Sequence, residues 1–156
     1  MDDWNDLART LRKLHGVLLQ RARDDYARAH GRGQAIGPGE LLMLATRDES
    51  FAWLRSLSEL MTDIDYLRDD ADTRQDDKLR GAVRGAVESL LQPPVDGEPG
   101  GMFAQHYWPL VNADPEVTMA HAAARQTLQG WPTAQGAGTS EIAERRGELS
   151  DKRRPA

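Results

Sequence analysis

Hydrophobic residues between positions 48 and 70 recur at helical spacing and cover about half of the circumference of a predicted helix. The set comprises Phe51, Trp53, Leu54, Leu57, Leu60, Met61, Ile64 and Leu67. Asp48 is a suitable N-cap, because its carboxylate can accept a hydrogen bond from a free backbone N–H. An apolar arc this wide cannot face a single neighbour. We therefore expect this helix to lie at the centre of a helical domain.

Helical spacing or helix-start signals mark four further segments, residues 3–30, 41–47, 76–92 and 115–129. The last of them begins after a cap residue, a proline and an acid, at Asp114-Pro115-Glu116. A short aromatic segment, residues 102–112, is expected to be interrupted at Pro109, because proline removes a helical hydrogen bond. No segment alternates as a strand does. The pattern predicts an all-α fold.

The predicted architecture is a four-helix-bundle-like single domain, residues 1–131, with two short extra helices. A chain of 156 residues suits one such domain with one core. Residues 132–156 contain few large apolar side chains, so we expect a disordered, flexible tail there. Ile142 and Leu149 are the exceptions, and they can mark a transient helix within the tail.

The net charge of the chain bears on the kind of partner that it can bind. The formal net charge is −5, from 25 acidic and 20 basic side chains. A mildly acidic chain lacks the clustered cationic surface that phosphate binding needs, which argues against nucleic acid as the main partner. The arginines between residues 9 and 28 are accompanied by nearby aspartates, and we interpret them as a solvated, salt-bridged face.

Composition also bears on chemistry and location. The absence of cysteine excludes disulfides, thiol nucleophiles and cysteine-ligated metals. The longest apolar run, residues 41–45, is far shorter than the roughly 20 residues of a membrane span. Residues 1–10 are acidic and lack the apolar stretch of a signal peptide. We expect a cytoplasmic protein with no membrane contact.

Two histidines on apolar stripes form the candidate ligand-binding site. His15 lies within the stripe of residues 3–30, and His121 lies within the stripe of the last predicted helix. Asp65 borders the apolar arc of the central helix. If the three helices share one core, these side chains can converge, and two imidazoles with one carboxylate can hold Zn²⁺ or Fe²⁺. The alternative is that each histidine is hydrogen-bonded to a neighbour and that Asp65 pairs with Arg68.

Two glycines form one candidate interface. Gly81 and Gly85 lie on the side of their helix away from its apolar stripe, where each glycine destabilises a helix by about 1 kcal/mol relative to alanine. We expect this side to pack against a short helix or a second subunit. The alternative is a tolerated weak helix.

An aromatic group forms a second candidate interface. Phe103, Tyr107 and Trp108 follow the loop-forming sequence PPVDGEPGG. These side chains either seal one end of the bundle or form an exposed anchor for a partner.

Three segments carry a resemblance to a known family: LHGVLLQRARDDY, GPGELLMLATRDESFAWLRSLSELMTDID and VTMAHAAAR. With these segments in view, residues 4–130 resemble a family of soluble helical proteobacterial proteins that has no assigned activity. The resemblance implies a bacterial cytoplasmic helical protein. It transfers no catalytic residue to this chain.

No catalytic signature occurs in the sequence: G-x-S-x-G, H-E-x-x-H and a phosphate-binding loop are all absent. We therefore favour a non-enzymatic helical-bundle protein that acts through contact with a protein partner or by self-association, without a cofactor. The alternative is a small-ligand or mononuclear metal-binding bundle, with enzymatic activity open, that uses His15, Asp65 and His121.

Overall fold

The computed structural model describes residues 3–31, 36–95, 100–133 and 139–154, and within these ranges it contains helices and no strand. In chain order the elements are α1 (Asp3–Ala29), α2 (Pro38–Arg47), a 3₁₀ helix (Glu49–Leu54), α3 (Arg55–Arg68), α4 (Ala71–Arg74), α5 (Asp77–Leu91), α6 (Met102–Ala113), α7 (Pro115–Leu128) and α8 (Thr139–Arg153). The all-α prediction is confirmed.

Helix α1 runs the length of the core. Its apolar stripe, from Trp4 to Ala22, is buried at every large residue. One side of α1 contacts α7, and another side contacts α3 and the 3₁₀ helix. Thr10 meets Thr127 and Arg21 meets Asp114, so α1 and α7 are antiparallel. A stripe at helical spacing is buried here because two neighbouring helices cover it.

The segment predicted as the central helix packs against several other helices, as its wide apolar arc requires. Helix α3 contacts α1, α4, α5 and α8. The segment differs from the prediction at its start. Asp48 does act as an N-cap, accepting from the Ser50 N–H, but it caps a 3₁₀ helix rather than an α-helix. With three residues per turn, the 3₁₀ geometry aligns Phe51 with Leu54, and both are buried.

Helix α6 is continuous through Pro109, so the predicted interruption is wrong. Proline removes only one hydrogen bond, and the residues on either side of it remain packed. Tyr107 before it and Val111 after it are both buried. Tertiary packing therefore outweighs the local preference against proline in the helix interior.

The predicted tail contains a helix. Thr139–Arg153 form α8, which packs on α5 and α3 and buries Ile142 and Leu149. Arg145 of α8 pairs with the Asp76 carboxylate at the start of α5. Residues 139–153 are helical because two apolar residues, seven positions apart, share one helical side and reach the core, and these are the two positions at which the sequence indicates a helix within the tail. Residues 134–138 and 155–156 of the expected disordered tail lie outside the described residues.

The arginines of α1 lie beside carboxylates, as the charge pattern indicates. Arg9 contacts Asp6 at 2.6 Å, and Arg28 contacts Asp25 at 3.4 Å. Arg21 is the best shielded member, and its hydrogen bond and charge lower the pKa of the Asp114 carboxyl, which caps α7. The interpretation as a salt-bridged face is confirmed for these arginines.

Candidate functional site

His15 lies half-buried on α1, with its Nε2 2.9 Å from the Ser58 hydroxyl of α3. That hydroxyl also donates to the Leu54 carbonyl at 3.2 Å. Because a hydroxyl has only one hydrogen, a serine that donates to Leu54 receives its second bond from the imidazole N–H. Burial lowers the pKa of His15, so the ring is neutral at pH 7. The His15 imidazole is therefore a neutral, hydrogen-bonded group between α1 and α3.

His121 lies buried between α6 and α7, with its Nδ1 2.6 Å from the Tyr107 hydroxyl. Trp108 packs edge-on against the imidazole, at a centroid distance of 5.2 Å. Burial, with a smaller contribution from the charge of Arg125, lowers the pKa of His121. Burial also raises the pKa of Tyr107. The pair is therefore two neutral groups that satisfy each other inside the core.

Asp65 lies at the surface between α1 and α3. Its carboxylate is 3.4 Å from Arg68 and 4.0 Å from Arg12. The alternative interpretation of the three predicted site residues is thus confirmed: each histidine bonds to a neighbouring hydroxyl, and Asp65 pairs with Arg68.

The structure does not bring His15, Asp65 and His121 together as a metal site, and no group of three or more such ligands occurs among the described residues. The two histidines do lie at similar heights, because α1 and α7 are antiparallel with Thr10 beside Thr127. They point to different neighbours, however, as His15 faces Ser58 and His121 faces Tyr107. Asp65 is seven residues beyond Ser58, or about 10 Å along α3.

The predicted aromatic group forms a closed cluster, which we call the aromatic cluster: Trp53, Phe103, Tyr107, Trp108 and His121. Phe103 stacks on Tyr107 with centroids 4.8 Å apart, and Trp53 packs on Phe103 at 5.9 Å. The Trp108 indole N–H donates to the Gln92 carbonyl at 2.9 Å. The sealing interpretation is thus correct for Phe103 and Tyr107, which are buried and not available as an exposed anchor.

The predicted glycine side of α5 lies near α8. Gly81 is buried and Gly85 is half-buried. Lys78, which shares their side of the helix, contacts Glu141 of α8 at 3.2 Å. These contacts favour the short-helix alternative, with α8 packed against this side of α5.

An open apolar groove of about 550 Å³ lies between α1, α2 and α3. His15 and Ser58 lie on its polar side, while Leu19, Leu41 and Leu54 are among its apolar walls. Arg55 stands at its edge and donates to the Thr46 carbonyl at 3.1 Å. The groove therefore joins the His15–Ser58 pair to the outer surface of α2.

No residue of helix α2 is fully buried. Leu41, Leu44 and Ala45 pack partly against the core, while Leu42 and Met43 are 69% and 59% exposed. At 100° per residue, the outward side contains Gly39, Leu42, Met43 and Thr46. We call these four residues the α2 face. It places two large apolar side chains next to each other in solvent.

The sequence analysis does not predict the α2 face, although the amino-acid sequence contains a signal for it. Residues 41–45 are five consecutive apolar residues, the longest such run in the chain. A single core-facing side of a helix cannot contain five successive residues, because they cover more than a full turn. Such a run on a ten-residue helix indicates that some apolar side chains face outward.

Comparisons with models of protein families, with curated proteins and with solved structures find no match to this chain. The resemblance to proteobacterial helical proteins stays a prediction. None of the described helices is both long and apolar enough to cross a membrane.

Proposed function

We propose that the protein acts through protein–protein contact made by the α2 face, and that it is a binding protein rather than an enzyme. The observation that carries this proposal is the exposure of Leu42 and Met43 on a helix that buries no residue. Adjacent exposed large apolar residues beside a groove are typical of interaction sites. Methionine is also enriched in the cores of protein interfaces.

Energetic reasoning supports the α2 face over the aromatic cluster. Covering a leucine or methionine side chain that is largely exposed gains about 1.5–3 kcal/mol when burial is complete. The aromatic cluster has already obtained this gain within the chain, because Phe103 and Tyr107 are buried. Leu42 and Met43 have not, so a partner that covers them gains binding energy.

Site-specific photo-crosslinking tests the proposal. A photoreactive residue replaces Met43 in the full chain, in cells that naturally make the protein. Met102 is the matched control, since it is exposed to nearly the same degree, at 57% against 59%, but lies on α6. We expect a discrete adduct from position 43 and none from position 102. Absence of an adduct at position 43, or the same adducts from both positions, contradicts the proposal.

A second candidate function is the binding of a small, mostly apolar ligand in the groove. The His15–Ser58 pair favours it, because a few converging polar groups among apolar walls are typical of small-molecule sites. The groove volume, about 550 Å³, also lies within the usual range of such sites. This candidate keeps His15 from the predicted ligand site and leaves out Asp65 and His121.

The fluorescent apolar anion 1-anilinonaphthalene-8-sulfonate tests this second candidate. We expect saturable binding by the full chain and its loss in Ala45→Phe, which fills the groove from α2. Ala143→Phe on α8 is the control, because Ala143 is exposed and no residue of α8 lines the groove. Equal binding by the two variants contradicts a ligand site in the groove.

A further inference from the structure

We infer that the occupant of the α2 face is a second copy of this chain, packed with its own α2 antiparallel to the first across a two-fold axis. This inference rests on the proposed function and names its partner. Three properties of α2 support it: the symmetry of its exposed residues, the charges at its two ends, and the small residues along the centre of the face.

The exposed residues are symmetric about the middle of the helix. The midpoint of Pro38–Arg47 falls between Leu42 and Met43, the two largest residues of the α2 face. A two-fold axis at this point brings Gly39 of one copy level with Thr46 of the other, twice. Isologous contacts have this form, in which residue i of one copy meets residue j of the other copy and j meets i.

The centre of the face permits close approach. A Cβ added at Gly39 meets no atom within 4 Å, so the surface there is open. The Thr46 hydroxyl donates to the Leu42 carbonyl at 2.7 Å, so its hydrogen-bonding requirement is met inside α2. Packing Gly39 against Thr46 therefore leaves no hydroxyl unsatisfied. Leu42 and Met43 lie on either side of this centre line, so the two-fold axis brings each of them against the same residue of the other copy.

The charges at the ends of α2 are complementary in the antiparallel arrangement. Glu40 and Arg47 are seven residues apart and lie on the same flank of the helix, beside Met43. A two-fold axis perpendicular to the helix keeps that flank on one side and reverses the ends. Glu40, which also takes part in an interaction within its own chain, then lies near Arg47 of the other copy. Opposite helix dipoles also align favourably in this arrangement.

Sedimentation equilibrium of the full chain tests the inference. One ten-residue helix per copy is smaller than a standard interface, so we expect a weak dimer, with a dissociation constant between about 10 µM and 1 mM. Glu40→Arg and Arg47→Glu each place like charges together twice per dimer, and we expect each to weaken association about tenfold or more. The double variant, with both changes, restores opposite charges and is expected to recover most of the affinity.

A glycine pair provides a test that is independent of charge. Gly39→Gln puts a side chain into the proposed contact, while Gly147→Gln adds the same side chain on α8, where space is also open. Neither change is crowded within one chain. We expect Gly39→Gln to reduce association about tenfold or more and Gly147→Gln to leave it unchanged. Equal association by the two variants overturns the inference.

The combined outcomes separate the inference from the proposed function. A chain that stays monomeric at about 1 mM overturns the inference. So does a dimer in which the double charge variant is no better than the single ones. If the photo-adduct at Met43 then contains a different protein, the proposed function stands. If no adduct forms at Met43, the proposed function fails as well.

Discussion

The aromatic cluster and the α2 groove contain similar groups in opposite surroundings. Each has a histidine that bonds to a hydroxyl, Tyr107 for His121 and Ser58 for His15. In the aromatic cluster the pair is enclosed by rings from the 3₁₀ helix and α6. In the groove the pair faces an opening lined by α2. The same chemistry is therefore structural in one region and accessible in the other.

The difference comes from what covers each region. Helix α7 is held between α1 and α6, so its histidine is enclosed. Helix α2 has the 3₁₀ helix as its main neighbour, and its outward side meets none of the described helices closely. A region that the chain covers itself contributes to stability, whereas a region that it leaves uncovered is available to a partner.

The largest expected effect is at the closed region. Tyr107→Ala removes a fully buried ring that packs against Phe103 and bonds to His121, and we expect a loss of about 3–5 kcal/mol in the free energy of unfolding. Urea denaturation at low protein concentration measures it. Met102→Ala on the same helix is the control and should change stability by less than about 0.5 kcal/mol. A loss below about 1 kcal/mol for Tyr107→Ala contradicts the closed cluster.

The next effect compares α8 with α2 through one substitution. Leu149 is 4% exposed and Leu42 is 69% exposed. We expect Leu149→Ala to lower the free energy of unfolding by about 2–3 kcal/mol, and Leu42→Ala to lower it by less than about 0.5 kcal/mol. The same urea titration applies to both variants. Equal, small losses indicate a tail that does not pack on α3 and α5.

Helix content follows from periodicity, and the sequence predictions place the long helices within a few residues of their positions. α1 and α5 are the best examples, because their apolar stripes agree with their packing. Spacing along one helix cannot show which neighbour a side chain faces. His15 and His121 lie on stripes at similar heights, yet they face different helices. Their separation depends on tertiary packing, which the stripes alone do not encode.

The remaining differences between the predictions and the structure lie in segments whose sequence patterns are short or weak. Ile142 and Leu149 provide too little apolar surface to predict docking of α8, which also uses the ion pair between Arg145 and Asp76. The run at residues 41–45 suggests a short helix but not its outward side. In both segments the decisive information is which surface remains uncovered after the larger helices have packed.

A pH titration sharpens the comparison of the two histidines. Burial lowers the pKa of both His15 and His121 in the folded chain. Below about pH 6.5, therefore, these histidines bind protons in the unfolded chain more readily than in the folded chain. The free energy of unfolding should be highest above that pH and fall as the pH drops from about 6.5, until the lowered folded-state values are passed. Urea titrations between about pH 7 and pH 5 measure this slope.

Single substitutions separate the contributions of the two rings. Gln in place of His121 keeps a partner for Tyr107 and should reduce the slope. Gln in place of His15 should do the same through Ser58. His30 is exposed, and His30→Gln is the control for removing a surface histidine. A slope that survives both His121→Gln and His15→Gln shows that other groups determine the acid sensitivity.

The smallest effect on the monomer is expected at the α2 face. Leu42→Ser with Met43→Ser should change the free energy of unfolding of dilute protein, measured by urea titration, by less than about 0.5 kcal/mol, since both side chains are already largely in solvent. At high concentration the result should differ. Association stabilises the folded state by mass action, so the thermal midpoint of the natural chain should rise with concentration while that of the variant stays constant. A large loss in dilute protein means that these residues belong to the core, and the contrast with Tyr107 then disappears.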